Sequence, residues 1–226
     1  MFELQNKLFA EGKQALLIVL QAMDAGGKDG TIRDVMQGFN PQGCRVVSFK
    51  APNSVEAKHD FLWRIHRVVP AGGEIVIFNR SHYGDILSVS VYNLLPEERW
   101  SKRYKHINNF EKMLRDESVR TLKFYLHISK DEQKRRLAKR VTNPQKHWKF
   151  SSRDYEERKN WDKNMEAYEQ VLGRCSTPWA PWYVVPADDK WYRNWVVGKI
   201  ITDTLKDMDP KIPDASDQIH EFLDKM

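Results

Sequence analysis

Two cysteines in 226 residues, Cys44 and Cys175, are too few and too far apart to staple a fold or to form a metal-ligand pair, which fits a reducing compartment. No apolar run is long enough to span a bilayer, and no charged-then-apolar leader follows Met1. No HxxxH or HExxH arrangement occurs, so His59, His66, His106 and His127 read as structural or exposed rather than as ligands. There is no internal repeat and no low-complexity tract. These absences exclude a disulfide scaffold, a transmembrane protein and a histidine metal centre. The expectation is a cytoplasmic protein with one domain, for which this length supplies an adequate core.

What is present begins with charge. The formal net charge of +6 favours a polyanionic partner by raising its local concentration and its rate of encounter. Nucleic acid, an anionic membrane surface and a phosphate-rich small molecule all satisfy that condition.

Apolar, β-branched runs recur at 15–21, 44–49, 74–79, 121–128 and 181–187, each followed by a segment with helical periodicity. Repeated βα units imply a parallel sheet, because each crossover returns the chain to the same end. The expected fold is a three-layer α/β/α domain with a five-stranded parallel sheet. Helices are expected near 29–38, 54–67, 97–116, 130–140, 152–173 and 190–206. The domain is expected over 1–209, with a tail over 210–226, where Pro210 and Pro213 stand among scattered charges.

Ligands of such sheets bind outside the carboxyl ends of the strands, which directs attention to MDAGGKDG after the first strand. The usual phosphate loop, G-x-x-x-x-G-K-[ST], fails twice here: Ala22 stands at the first glycine and Asp29 at the hydroxyl. The physics survives both changes. Gly26 and Gly27 let the backbone approach an anion, amides at the helix start point toward it, and Lys28 adds a mobile positive charge. The plainer reading is a glycine-containing turn with a surface lysine. Asp24 inside an anion cradle calls for a bridging divalent cation or proton transfer; otherwise it closes the turn or caps the helix.

A second cluster, IFNRSHYGD at 77–85, ends the third strand and brings Asn79, Arg80 and Asp85 to the same sheet edge. An arginine and a metal-holding carboxylate are the complement that phosphoryl transfer requires; taken singly, Arg80 and Asp85 also read as a surface ion pair. Lys50, at the end of the second strand, reads as a ligand contact or as part of a turn. A third stretch, 130–164, is dense in lysine and arginine with Trp148 and Phe150 interposed. It reads as a helical lid closing over phosphates, with Arg136 and Arg140 on one helix face, or as a solvated basic surface. The eight tryptophans read as packing.

LQAMDAGGKDGTI, FKAPN, HDFLWRIH, IFNRSHYGD, WKFSSRD and WAPWYVVPADDKWYRN together resemble the family-2 polyphosphate kinases, above all their third class, over about residues 4–206. The resemblance implies a thymidylate-kinase-like P-loop fold with a helical lid, and phosphoryl transfer between inorganic polyphosphate and nucleoside mono- and diphosphates with Mg²⁺, for which Mn²⁺ can stand in. It implies that Asp24 and Lys28 are the acidic and basic members of the phosphate loop, with backbone contacts from Ala25, Gly26, Gly27, Asp29 and Gly30. Arg80 would grip phosphates, Asp24 and Asp85 would hold the metal, and Arg136, Arg140 and Lys149 would face the polyphosphate channel. Asn79, where many relatives carry aspartate, fits use of monophosphates. A homo-oligomer is implied as well, with neither membrane nor nucleic acid as partner. Gly84 departs from the glutamate usual in the third class, and the chain starts nearer the first strand than many relatives do. At the level of residues alone, an ATP-dependent nucleotide kinase and a non-enzymatic polyanion-binding module remain the rival readings; carboxylates in the cradle disfavour the second.

Overall fold

Seven residues of the first apolar run, Ala15–Gln21, form β1, and all seven are buried. A strand covered on both faces must be parallel and central, and that is its place. The computed structural model describes residues 1–214. Its sheet has the order β2-β3-β1-β4-β5, with β2 at Cys44–Ser48, β3 at Ile75–Asn79, β4 at Val119–His127 and β5 at Trp182–Pro186. Every pairing is parallel, and Leu20 lies opposite both Asn79 and Phe124. The five strands, the parallel sheet and its helical layers are as the sequence predicts.

Ten α-helices surround the sheet among the described residues. α1 (Phe2–Glu11), α2 (Lys28–Val35) and α10 (Lys190–Met208) pack together on one face. α4 (Gly84–Val91), α6 (Arg103–Asp116) and α9 (Trp161–Cys175) pack on the other. The core between them includes Leu17, Ile18, Ile77, Phe124, Val171 and Ile201, all essentially inaccessible. Each such side chain contributes roughly 1.5–3 kcal/mol by leaving water.

Three helical expectations change. Residues 54–67 form a 3-10 turn at Glu56–Lys58 and a single helical turn, α3 (Trp63–His66), instead of one helix. Asn53 Oδ1 accepts from the Val55 and Glu56 amides, and Asp60 Oδ1 accepts from the Leu62 amide; these side chains divert the backbone into turns. The 97–116 segment divides into α5 (Glu97–Trp100) and α6, and the 152–173 segment into α8 (Arg153–Lys159) and α9. α1 and α4 were not expected. Of the tail, Pro210 is buried and Lys211–Asp214 are exposed; residues 215–226 lie outside the described part. No described helix is long and apolar enough to cross a membrane.

Candidate functional site

The loop between β1 and α2 is built on two backbone conformations that few residues adopt. Ala25 has φ 62° and Gly27 φ 107°, both in the left-handed region. Gly26 is enclosed: a Cβ there would come within 2.8 Å of the Met23 carbonyl. A Cβ on Gly27 would run into the guanidinium of Arg193. Glycine at both positions is therefore a steric requirement. The Thr31 amide donates to the Gly27 carbonyl at 2.9 Å, the first bond of α2. The amides of Lys28, Asp29 and Gly30 ahead of it lack an intrahelical acceptor by helix geometry, and the helix dipole adds positive potential there.

Lys28 lies in this loop with 9% of its surface exposed. Its Nζ donates to the Ala22 carbonyl at 3.0 Å. Burial pushes the ammonium down to about 8; Asp24 opposes that shift and Arg80 adds to it. The result is a cation short of counter-charge, which an anion in the loop would supply.

Asn79 and Arg80 end β3 beside the loop. Arg80 has φ 64°, and its amide donates to the Leu20 carbonyl at 3.1 Å, tying the turn to β1. Its Nη2 donates to Asp24 Oδ1 at 3.0 Å. Asn79 Nδ2 donates to Asp29 Oδ1 at 3.0 Å, and Lys149 Nζ lies 3.6 Å from Asp29 Oδ2. Burial works to raise the Asp29 carboxyl, but the Asn79 hydrogen bond and the Lys149 and Lys28 charges outweigh it and hold the group below the usual carboxylate range. The Asp29 side chain, for which only a backbone contact was expected, thus joins all three clusters.

The two arginines of the basic stretch act differently, one anchoring it to the loop and one bracing it internally. α7 (Lys130–Thr142) leads into a 3-10 turn at Pro144–Lys149 and then α8. Arg136 donates to the Ala25 carbonyl at 3.0 Å and the Asp188 carbonyl at 3.1 Å, and to the Ala187 carbonyl, while Glu132 holds its Nε at 2.6 Å. It clasps the loop to the end of β5. Arg140 instead bonds Asp154 at 2.6 Å and the Lys149 carbonyl at 3.2 Å. Gln133 Nε2 donates to the Asp24 carbonyl at 3.2 Å, a contact that sequence reading missed.

Arg193 is the larger omission. It sits in the aromatic WYRNW run, which reads as packing, yet the residue is only 2% exposed and lies against Gly27 and Gly30. Asn194 Oδ1 accepts from its Nε at 3.0 Å and its Nη2 at 2.7 Å. Burial, with Arg136 nearby, pushes the guanidinium down to about 10. A buried arginine at the first turn of a helix gives no periodic signal.

Two expected residues stand apart. Asp85 Oδ2 accepts from Arg64 Nη2 at 2.9 Å, and both side chains are largely buried. Asp85 is thus more enclosed than Asp24, which is paired with Arg80 and 22% exposed at the lip of the loop, and than Asp29, which is 67% exposed. Lys50 is exposed past β2, and its carbonyl accepts from Arg64 Nη1 at 2.9 Å. Among the described residues no three acidic, histidine or cysteine side chains converge on one point. Carboxylates beside an anion cradle fit Mg²⁺, which in phosphate sites takes one or two carboxylates and fills its shell with water and phosphate oxygens.

Over 211 residues the chain is 56% identical to an AMP/ADP-polyphosphate phosphotransferase from Meiothermus ruber, covering 93% of this chain and 79% of that protein. It is 45% identical to an ADP-polyphosphate phosphotransferase from Rhodopseudomonas palustris, covering 95% and 78%. Among solved structures, polyphosphate kinase 2 from Arthrobacter aurescens superposes with a TM-score of 0.94 at 42% identity, covering 99% of this chain and 82% of that one. The sequence profile of the polyphosphate kinase 2 family matches residues 1–213, and the chain belongs to that family.

Proposed function

We propose that the chain transfers a terminal phosphoryl group between inorganic polyphosphate and nucleoside mono- and diphosphates such as AMP, ADP, GMP and GDP, by direct in-line displacement. The observation that carries this reading is the buried Lys28 ammonium at the start of α2, faced by the Asp24–Arg80 pair. Phosphoryl transfer asks a protein mainly to position groups and to neutralise charge spreading over equatorial oxygens. Lys28 and the loop amides grip one phosphate, and Arg80, on the adjoining strand end, bridges to its partner. Asn79 places a neutral amide where a second carboxylate would repel a doubly charged monophosphate. The segment 130–164 acts as the lid: Arg136 ties it to the loop, Arg140 braces it internally against Asp154, and closing it excludes water that would otherwise accept the phosphoryl group. A divalent cation held by Asp24, when bound, would supply charge neutralisation between the two substrates. No residue needs to carry the phosphoryl group covalently.

The test incubates the purified protein with AMP, ADP or GDP, Mg²⁺ and polyphosphates of several lengths, then separates the nucleotides. Formation of the next higher phosphate only when polyphosphate is present is the expected result. Turnover with ATP alone as donor would make the protein a conventional nucleotide kinase, and salt-sensitive binding without turnover would make it a binding module.

A further inference from the structure

Lys123 lies in the middle of β4 with its ammonium wholly buried. Its Nζ donates to Glu111 Oε2 at 2.6 Å, to the Cys175 carbonyl at 2.7 Å and to the Tyr83 hydroxyl at 2.8 Å. The Tyr83 hydroxyl donates in turn to Glu111 Oε1 at 2.8 Å. His82, equally buried, brings its Nε2 within 3.5 Å of the same carboxylate oxygen. The burial cost of such a pair offsets most of its attraction, and apolar side chains of similar volume often serve stability as well or better. Stability alone therefore gives a weak account of two charges at the centre of the fold.

Their neighbours give a stronger one. Tyr83 follows Arg80 by three residues, and Arg80 is held at φ 64°. A non-glycine residue in that region costs on the order of 1–3 kcal/mol and persists only where its surroundings enforce it. Ser81 Oγ accepts from the Tyr83 amide at 3.2 Å and from Gln21 Nε2 at 3.0 Å. Gln21 ends β1, and the next carbonyl, that of Ala22, accepts from Lys28 Nζ. A continuous series of hydrogen bonds and single peptide steps thus leads from the Glu111–Lys123 pair through Tyr83, Ser81 and Gln21 to Lys28, with Arg80 on the same turn.

We propose that Glu111, Lys123 and Tyr83 are positioning residues for phosphoryl transfer, anchoring the turn that carries Arg80 in register with the loop that carries Lys28. The inference rests on the function proposed above. Glu111 and Lys123 touch no reacting atom in this scheme; they fix where the two phosphate-gripping cations stand.

The test compares wild type, Tyr83→Phe and the Glu111→Leu/Lys123→Met double variant, reading melting temperature together with kcat and KM for ADP with polyphosphate. The double variant is expected to melt at or above the wild-type temperature while kcat falls by about 10–100-fold, since small misplacements cost that much in rate. KM should move far less. Tyr83→Phe, which keeps the ring but leaves Lys123 and Glu111 each short of a buried partner, should lose severalfold in kcat and melt lower than wild type while remaining folded. Wild-type kcat in Tyr83→Phe overturns the proposal, and this variant decides the matter if the double variant does not fold. Wild-type kcat in a folded double variant also overturns it. A wild type without polyphosphate-dependent turnover removes the functional reading and this inference together; an active wild type with unchanged variants removes the inference alone.

Discussion

Arg80 donates to Asp24 across 3.0 Å, joining the turn after β3 to the loop after β1 by a pair of opposite charges. Neither charge is deeply buried, so the pair can part when stronger partners arrive: phosphate oxygens for the guanidinium, a cation for the carboxylate. In the absence of substrate each partner offsets the other. In the proposed scheme Asp24 offsets Arg80 until substrate arrives and repels anions that come without a metal.

Asp24→Asn separates those two effects. Removing one preorganised electrostatic group typically lowers turnover by about 10²–10³-fold. That loss is expected in kcat/KM with Mg²⁺ present. Calorimetric titration with polyphosphate in a chelator should move the opposite way, with tighter binding in the variant, because the repelling carboxylate is gone. Unchanged turnover with Mg²⁺ would remove Asp24 from the mechanism.

With Lys28 in the proposed role, the reaction is expected to be sensitive to alkali. Its ammonium titrates near 8 in the free protein, so the cation is lost as pH rises through that value. A bound phosphate favours the charged form and moves the titration upward. Hence kcat/KM should fall above about pH 8, while kcat should hold to higher pH, since the first reports the free enzyme and the second the complex. The stability effect has the reverse direction. Between about 8 and 10.5 the unfolded chain carries the proton and the native protein does not, so this group's contribution to stability rises with pH. Below 8 its cost is fully present, on the order of 3 kcal/mol for a depression from 10.5 to about 8. Lys28→Met should therefore melt higher than wild type at pH 7 while losing activity, which thermal denaturation beside the nucleotide assay measures.

The strands were legible because their chemistry is local: a run such as Leu16–Leu20 has no polar face to show to water, and only a central strand accommodates it. The turn after β1 was legible for the same reason, since Gly26, Gly27 and Lys28 mark a close-packed strand-to-helix turn within a few residues. What was hidden depends on contacts between distant segments. Asp85 reads from the sequence as a free carboxylate, and its ion pair with Arg64, 21 residues earlier, emerges only in the fold. Arg193 reads as one charge in an aromatic run until α10 packs beside α2 and delivers it to Gly27. α4 escaped because Ile86, Leu87, Val89 and Val91 leave little polar periodicity to mark a helix, and each is buried in the structure.

Gly27 and Arg193 should behave as a coupled pair. Gly27→Ala places a methyl group against the guanidinium and holds alanine at φ 107°. A loss of about 1–3 kcal/mol in stability is expected from the backbone alone, together with loss of measurable phosphoryl transfer as the loop shifts. Shortening the partner, as in Arg193→Ala, should recover part of the stability lost by Gly27→Ala, because it removes the steric conflict and leaves only the dihedral strain. Chemical denaturation of both single variants and the double variant measures that coupling. Strictly additive losses would mean that the guanidinium yields freely to a side chain on Gly27.

Gly84 offers a test that adds a group instead of removing one. It is the first residue of α4, and a Cβ built there meets nothing within 4 Å. Glutamate in a first helical turn faces the positive end of the helix dipole, worth about 0.3–1 kcal/mol, and replacing glycine in a helix adds about as much again. Gly84→Glu is therefore expected to raise stability by roughly 1 kcal/mol, measured by urea denaturation. Its position next to Tyr83, four residues after Arg80, puts the new carboxylate on the turn that carries Arg80. If that carboxylate takes part in holding the nucleotide's metal, the ratio of kcat/KM for AMP to that for ADP should shift while Lys28-dependent turnover persists. A variant that is stabilised but keeps the wild-type ratio would show that glycine at this position concerns the helix start and not the choice of nucleotide.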